Sequence, residues 1–284
     1  MDCPLLVWML SLSRDVTREE YDECYKLVKE CIPGAPEIKH APDSNESLRQ
    51  VLCQMMPLLM MRHRRVPRAQ WRDRVTPNGK HWIEQDPSGM HPEKYLRSMI
   101  GYTTASEGSL VAMSMVQGRQ REVVNVGLGM RMIAPEPRDA PVAAYVESQA
   151  HKLTEFELGF LRGEPDEVAL RRLCILLSLK GAYIQAIGQP LGFDWSRLEF
   201  NIPTQAARGD GHPLTGWEFR VFRAELGVVR EGELVPESYQ CATAFFRGTS
   251  ESKFVWQENQ KEIESWVQFL NIEQMIKVIP KLSA

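Results

Sequence analysis

A chain of 284 residues with 43% apolar and 25% charged side chains has the composition of an ordinary globular protein, long enough for one large core or two moderate ones. Its formal net charge of -3 excludes a global attraction to nucleic acid or to an anionic membrane, so any anion site must be a local patch. Six scattered cysteines without a C-x-x-C pair, and six histidines without metal-ligand spacing, point to reduced thiols in a cytoplasmic protein and to no metal centre.

The apolar run from Pro4 to Leu12 is too short to span a bilayer and follows Asp2 in place of a basic leader. It reads as a first, buried strand. A helix is expected over Thr17–Cys31, where Thr17 and Glu20 fit a capping box. After a proline-rich turn region from Pro33 to Pro42, a second helix is expected from Ser47 to Met61, bent at Pro57. That helix empties into Arg62-His63-Arg64-Arg65, followed by Arg68, Arg72 and Arg74. Such a run by itself reads as a solvated face that keeps the protein soluble. Pro77-Asn78-Gly79-Lys80-His81-Trp82 is a hairpin turn, Tyr102 to Ala112 follows, and Val123 to Met130 is a strongly apolar strand leading into Arg131.

Ala134 to Pro141 holds three prolines in eight residues and reads as a linker. It divides a first half, residues 1–133, from a second half, residues 142–284, which includes a C-terminal extension. Val142, Tyr145 and Val146 share a helical face, and Thr154 with Glu157 fits a second capping box. From about Glu167 to Gly188 apolar residues recur at three- and four-residue spacing, which sets Lys180, Tyr183 and Ile184 near one another. Gly181, inside this helix, costs about 1 kcal/mol relative to alanine and is a local inconsistency. Strands are expected at Ser196–Ile202, Gly216–Glu225 and Tyr239–Phe246, and the tail from Phe254 to Ile279 as a packing extension.

Taken together, these segments resemble the Sfp-type fungal 4'-phosphopantetheinyl transferase superfamily, nearly throughout and in order. The signature helix of that family reads W-x-x-K-E-(A/S)-(Y/F)-I-K and then glycine; Lys180, Tyr183, Ile184 and Gly188 fit it. Gly181 stands at the metal-binding glutamate and Gln185 at the phosphate lysine. Gly79 and Lys80 match the family's G-K-P turn, with His81 for the proline. Ala105 and Ser106 replace its diphosphate-binding serine and histidine, and Gly129 its metal-binding aspartate.

The resemblance implies an α+β fold of two similar α/β halves related by pseudo-twofold symmetry, with coenzyme A in the cleft between them. The chain would be a degenerate member lacking the metal-binding carboxylates, so that magnesium binding is not expected and no cofactor is required. Arg62, Arg64, Arg65 and Lys80 are then the candidates for coenzyme A. Lys180, Arg131, Tyr183 and Gln185 are the candidate catalytic groups, and Tyr102, Gly129, Leu177 and Gly181 line an apolar pocket that the two glycines enlarge. The favoured expectation is a monomeric, metal-free enzyme of cyclase or isomerase type, acting on a polyketide or peptide-polyketide intermediate of fungal secondary metabolism. Two alternatives stay open: a non-catalytic protein that binds coenzyme A or an acyl carrier protein, and a residually active transferase.

Overall fold

The computed structural model describes residues 4–34, 36–189, 192–230, 232–257 and 259–283. The first half runs β1 (Leu5–Ser11), α1 (Arg18–Cys31), α2 (Asn45–His63), β2 (Trp71–Val75), β3 (His81–Gln85), α3 (Pro92–Leu96), β4 (Met99–Glu107), β5 (Leu110–Gly118) and α4 (Gln120–Val123). There follow β6 (Val126–Met132), α5 (Val142–Gln149), α6 (Glu155–Gly159), α7 (Asp166–Ile187), β7 (Leu198–Asn201), β8 (Ala206–Gly209) and β9 (His212–Pro213). The chain closes with β10 (Trp217–Arg230), β11 (Glu233–Phe246), β12 (Lys253–Gln257), α8 (Gln260–Glu264), β13 (Val267–Asn271) and α9 (Ile272–Val278).

Local chemistry sets the helix starts. Thr17 and Glu20 form the expected capping box on α1, and Thr154 and Glu157 form one on α6. Pro57 lies inside α2 without ending it. The expected strand at Val123 begins later, because residues 120–123 make a helical turn capped by Glu122.

Six strands form one sheet in the order β13-β1-β5-β4-β3-β2, four form another in the order β12-β10-β11-β6, and β7-β8-β9 make a small third. The large sheets repeat a connectivity: β1 pairs antiparallel with β5 across from β4, and β6 pairs antiparallel with β11 across from β10. Helix α2 packs on β4 and β5, and α7 packs on β6 and β11. Sheet membership does not divide at the proline-rich segment. β6 precedes residues 134–141 yet pairs with β11, and β13 of the last stretch pairs with β1. The extension is thus two strands and two helices, not merely a packing tail.

Alternation along the strands sorts the core. Trp8 and Leu10 of β1 join the cluster under α1 and α2, whereas Val7 and Met9 join one shared with Leu128, Met130, Phe222 and Cys241 of the other sheet. The two sheets therefore pack on each other, with α1 and α2 outside one and α7 outside the other. Gly127 and Gly129 face α7. A Cβ on Gly127 would collide with the Ala182 carbonyl oxygen, and one on Gly129 with that of Ser178. The alternating glycines let the helix lie directly on the strand backbone.

Candidate functional site

At the C-terminal end of this helix lies a cleft of about 510 Å³ whose walls come from far apart in the sequence. Gln50, Cys53, Gln54 and Pro57 of α2 form one side; Tyr102, Thr104 and Ser106 of β4 another; the turn Asn78–Lys80 and the end of α7, with Gln185 and Gly188, close it. Gly188 caps α7 in the left-handed conformation, φ 76°, which glycine adopts without strain. A Cβ there would stand 2.9 Å from both Cβ and the carbonyl oxygen of Asn78, so the helix end and the turn touch only because this residue is glycine.

Within the cleft, Gln185 Oε1 accepts from Thr103 Oγ1 at 3.3 Å and from the Leu128 amide at 3.1 Å. The Lys80 ammonium donates to Asn125 Oδ1, and burial pulls its pKa down. Burial also pushes the Cys53 thiol up to about 11, so it stays protonated at neutral pH. A second opening of about 240 Å³ shares Ser106 and Gln185 with the first and is lined further by Ala105, Gly129, Arg131, Leu177, Gly181 and Trp195.

Several expected site residues lie elsewhere or are already engaged. Lys180 is wholly buried: its Nζ lies 2.6 Å from Glu157 Oε2, also wholly buried, and donates to the carbonyls of Lys152 (2.7 Å) and Trp195 (3.1 Å). Burial lowers the pKa of Lys180 and raises that of Glu157 against their mutual attraction. The lysine is a strut under the cleft, with all three donor directions used. Tyr183 points into an aromatic group, 4.8 Å from Trp217 and 6.5 Å from Phe219 between ring centres. Arg131 lines the smaller opening but donates to Glu107 Oε2 at 3.2 Å and to the Met130 carbonyl at 2.9 Å. Arg62, Arg64 and Arg65 stand beyond the stretch of α2 that lines the cleft; Arg64 donates to Gln117 and lines a separate groove with Trp8 and Trp266. Gln185, Lys80 and Tyr102 line the larger opening, and Leu177, Gly129 and Gly181 the smaller.

The smaller opening holds the positions at which the resemblance places a divalent ion. A Cβ on Gly181 would lie 3.9 Å from the Gly129 Cα, so the two positions are neighbours, as that register requires. Magnesium wants hard oxygen donors, commonly carboxylates. Here one position has no side chain and the other has no room for one; Glu107, near Arg131, is held in an ion pair. Among the described residues no three His, Cys, Asp or Glu side chains cluster in a way that could hold a metal. These residues do not fit the ion. The expectation that Gly129 widens the pocket is corrected: its space is taken by the backbone of α7.

One group escaped the sequence reading. Asp73 Oδ2 accepts from His81 Nδ1 at 3.0 Å, and the Tyr102 hydroxyl lies 3.3 Å from the same nitrogen, all three residues lining the cleft. Burial, with Asp73 nearby, raises the Tyr102 pKa well above its ordinary value. The signal was available in the hairpin: the Asn78-Gly79 turn sets Val75 opposite His81, which puts Asp73 and His81 diagonally on one face.

Over 226 residues the chain is 27% identical to the 4'-phosphopantetheinyl transferase pptA of the fungus Paxillus involutus, a match covering 76% of this chain and 81% of that protein. No protein-family model matches the chain. The mixed α+β architecture is compatible with a phosphopantetheinyl transferase-like fold, and no helix among the described residues is long and apolar enough to cross a membrane.

Proposed function

We propose that the chain is a phosphopantetheinyl transferase-like protein whose cleft binds coenzyme A, and that it works by holding this cofactor or a carrier protein rather than by magnesium-dependent transfer. The observation that carries the reading is the convergence of positions the resemblance gives to the cofactor. Lys80, Ser106 and Gln185 are distant in sequence but line one cleft, although Arg62, Arg64 and Arg65 do not reach it. The absence of a fitting carboxylate pair at positions 129 and 181 supports the second clause, because the ion supplies several kcal/mol of transition-state stabilisation in reactions of this kind.

Three of the four side chains chosen for the cyclase or isomerase expected from the sequence are engaged elsewhere. Lys180 is sealed against Glu157, Tyr183 packs edge-on against Trp217, and Arg131 is paired with Glu107, while Gln185 lines the cleft. A second reading, an active transferase, is favoured by the name of the Paxillus relative. One experiment separates them: calorimetric titration with coenzyme A, then incubation with coenzyme A, magnesium and an apo carrier protein, followed by mass spectrometry. Binding without the mass gain of a phosphopantetheine arm is expected. A mass gain establishes the transferase reading instead, and failure to bind coenzyme A overturns the proposal.

A further inference from the structure

Two acceptors in the wall of the larger cleft have nothing to accept from. Asp73 Oδ1 and Gln54 Oε1 are shielded from solvent, and neither has a hydrogen-bond partner among the described residues. Each is oriented by the other polar atom of its own side chain: Asp73 Oδ2 is taken by His81 Nδ1 at 3.0 Å, and Gln54 Nε2 donates to the Pro36 carbonyl at 2.9 Å. Buried polar groups in folded proteins are nearly always paired, and the exceptions call for a cause. Both residues line the same opening, together with the apolar Ile32, Ile38 and Pro57 and the cationic Lys80. Both oxygens belong to side chains that line the opening, so a ligand entering it can bring the donors that the protein does not supply.

A ligand suited to this wall brings N–H or O–H donors on a flat, partly apolar body and carries an anion within reach of Lys80. An aminopurine nucleotide has that distribution: an exocyclic amino group, ribose hydroxyls and phosphate. We infer that Asp73 and Gln54 are specificity-determining residues of the cleft, with Asp73 accepting from the amino group of the purine and Gln54 from a second donor on the same nucleoside. The inference rests on the coenzyme A reading above and adds to it which atoms select the base. His81, with the Tyr102 hydroxyl 3.3 Å from the same ring nitrogen, holds the Asp73 carboxylate in place as a positioning residue.

The test compares coenzyme A with its analogue in which hydrogen replaces the adenine amino group, by calorimetric titration of the full chain. A site built to bond a donor rejects the analogue that lacks it, because its own acceptor is left unpaired. Coenzyme A is expected to bind roughly ten- to a hundredfold more tightly than the analogue, the range for a hydrogen bond to a charged group. In Asp73→Ala that ratio should fall to within about threefold of unity, and Gln54→Leu should weaken both ligands while leaving their ratio unchanged, as expected for independent contacts. Equal binding of the two ligands by the unaltered chain overturns the inference and leaves the coenzyme A reading standing; binding of neither removes both. Should Asp73→Ala fail to fold, the ligand pair on the unaltered chain decides the matter by itself.

Discussion

Replacing Lys180 with methionine distinguishes a strut from a catalytic group. The ammonium group makes an ion pair of 2.6 Å with Glu157 and two bonds to carbonyls, and both charged side chains have no exposed surface. Glu157 in turn accepts from the amides of Thr154 (2.9 Å) and Phe200 (2.8 Å), tying α6, α7 and β7 together. Removing one partner of such a pair leaves the other buried and uncompensated, at about 3–5 kcal/mol. At about 2–4 °C of melting temperature per kcal/mol in a chain of this size class, Lys180→Met should melt roughly 6–20 °C lower. Glu157→Gln should cost less, since its amide oxygen can still serve the Phe200 N–H. The double variant should be more stable than the sum of the single losses by about 1–3 kcal/mol. Urea unfolding of the four proteins gives the cycle, and titration with coenzyme A below the transition should show affinity unchanged within about twofold. A loss under about 1 kcal/mol, or lost binding with stability intact, would refute the strut and return Lys180 to the cleft.

Four further outcomes are expected. Gly188→Ala, in a left-handed position with Asn78 at 2.9 Å, should cost about 1–3 kcal/mol in urea unfolding and weaken coenzyme A by displacing the turn. Gly129→Ala should lose at least about 2 kcal/mol because the added methyl group meets backbone that cannot yield. Gly181→Ala, whose nearest neighbour would be the Trp195 ring at 3.6 Å, should be neutral or gain up to about 1 kcal/mol, and equal losses at the two sites would refute the packing described. Glu218 is raised by burial but more than compensated by Arg247 and Arg220, so its folded pKa lies below the model-compound value of 4.5. Its stabilising contribution is present above that value and fades as pH falls through the folded pKa, so Glu218→Gln should flatten the acid limb of a stability-versus-pH curve.

Short-range chemistry was open to reading in the sequence: both capping boxes, the extent of α7 and the hairpin at Asn78-Gly79 follow from residues within a few positions of one another. Gly129 and Gly181, assigned to one site by the resemblance, are neighbours in the structure. What escaped depended on distant partners. The side chain of Lys180 is assigned by Glu157, a residue already explained by its own cap, so nothing local revealed the pair. The basic run at Arg62 was placed correctly on a helix end, but which wall of the molecule that end joins is settled only by how α2 crosses β4 and β5. Gly129 was read as lost chemistry; its alternation with Gly127 along a strand carried the additional message that a backbone approaches there.

The parallel pairing of β1 with β13 bears on how the polypeptide acquires its shape. Val7 through Ser11 sit beside Val267 through Asn271, so one flank of β1 is covered by a strand that lies far along the chain from it. Contacts so widely separated along the chain are slow to form, because loop closure must precede their reward. During synthesis the sheet built on β1 would therefore present an uncovered margin until the segment carrying β13 has been made, a period in which pairing with a neighbouring nascent chain competes with the native partner.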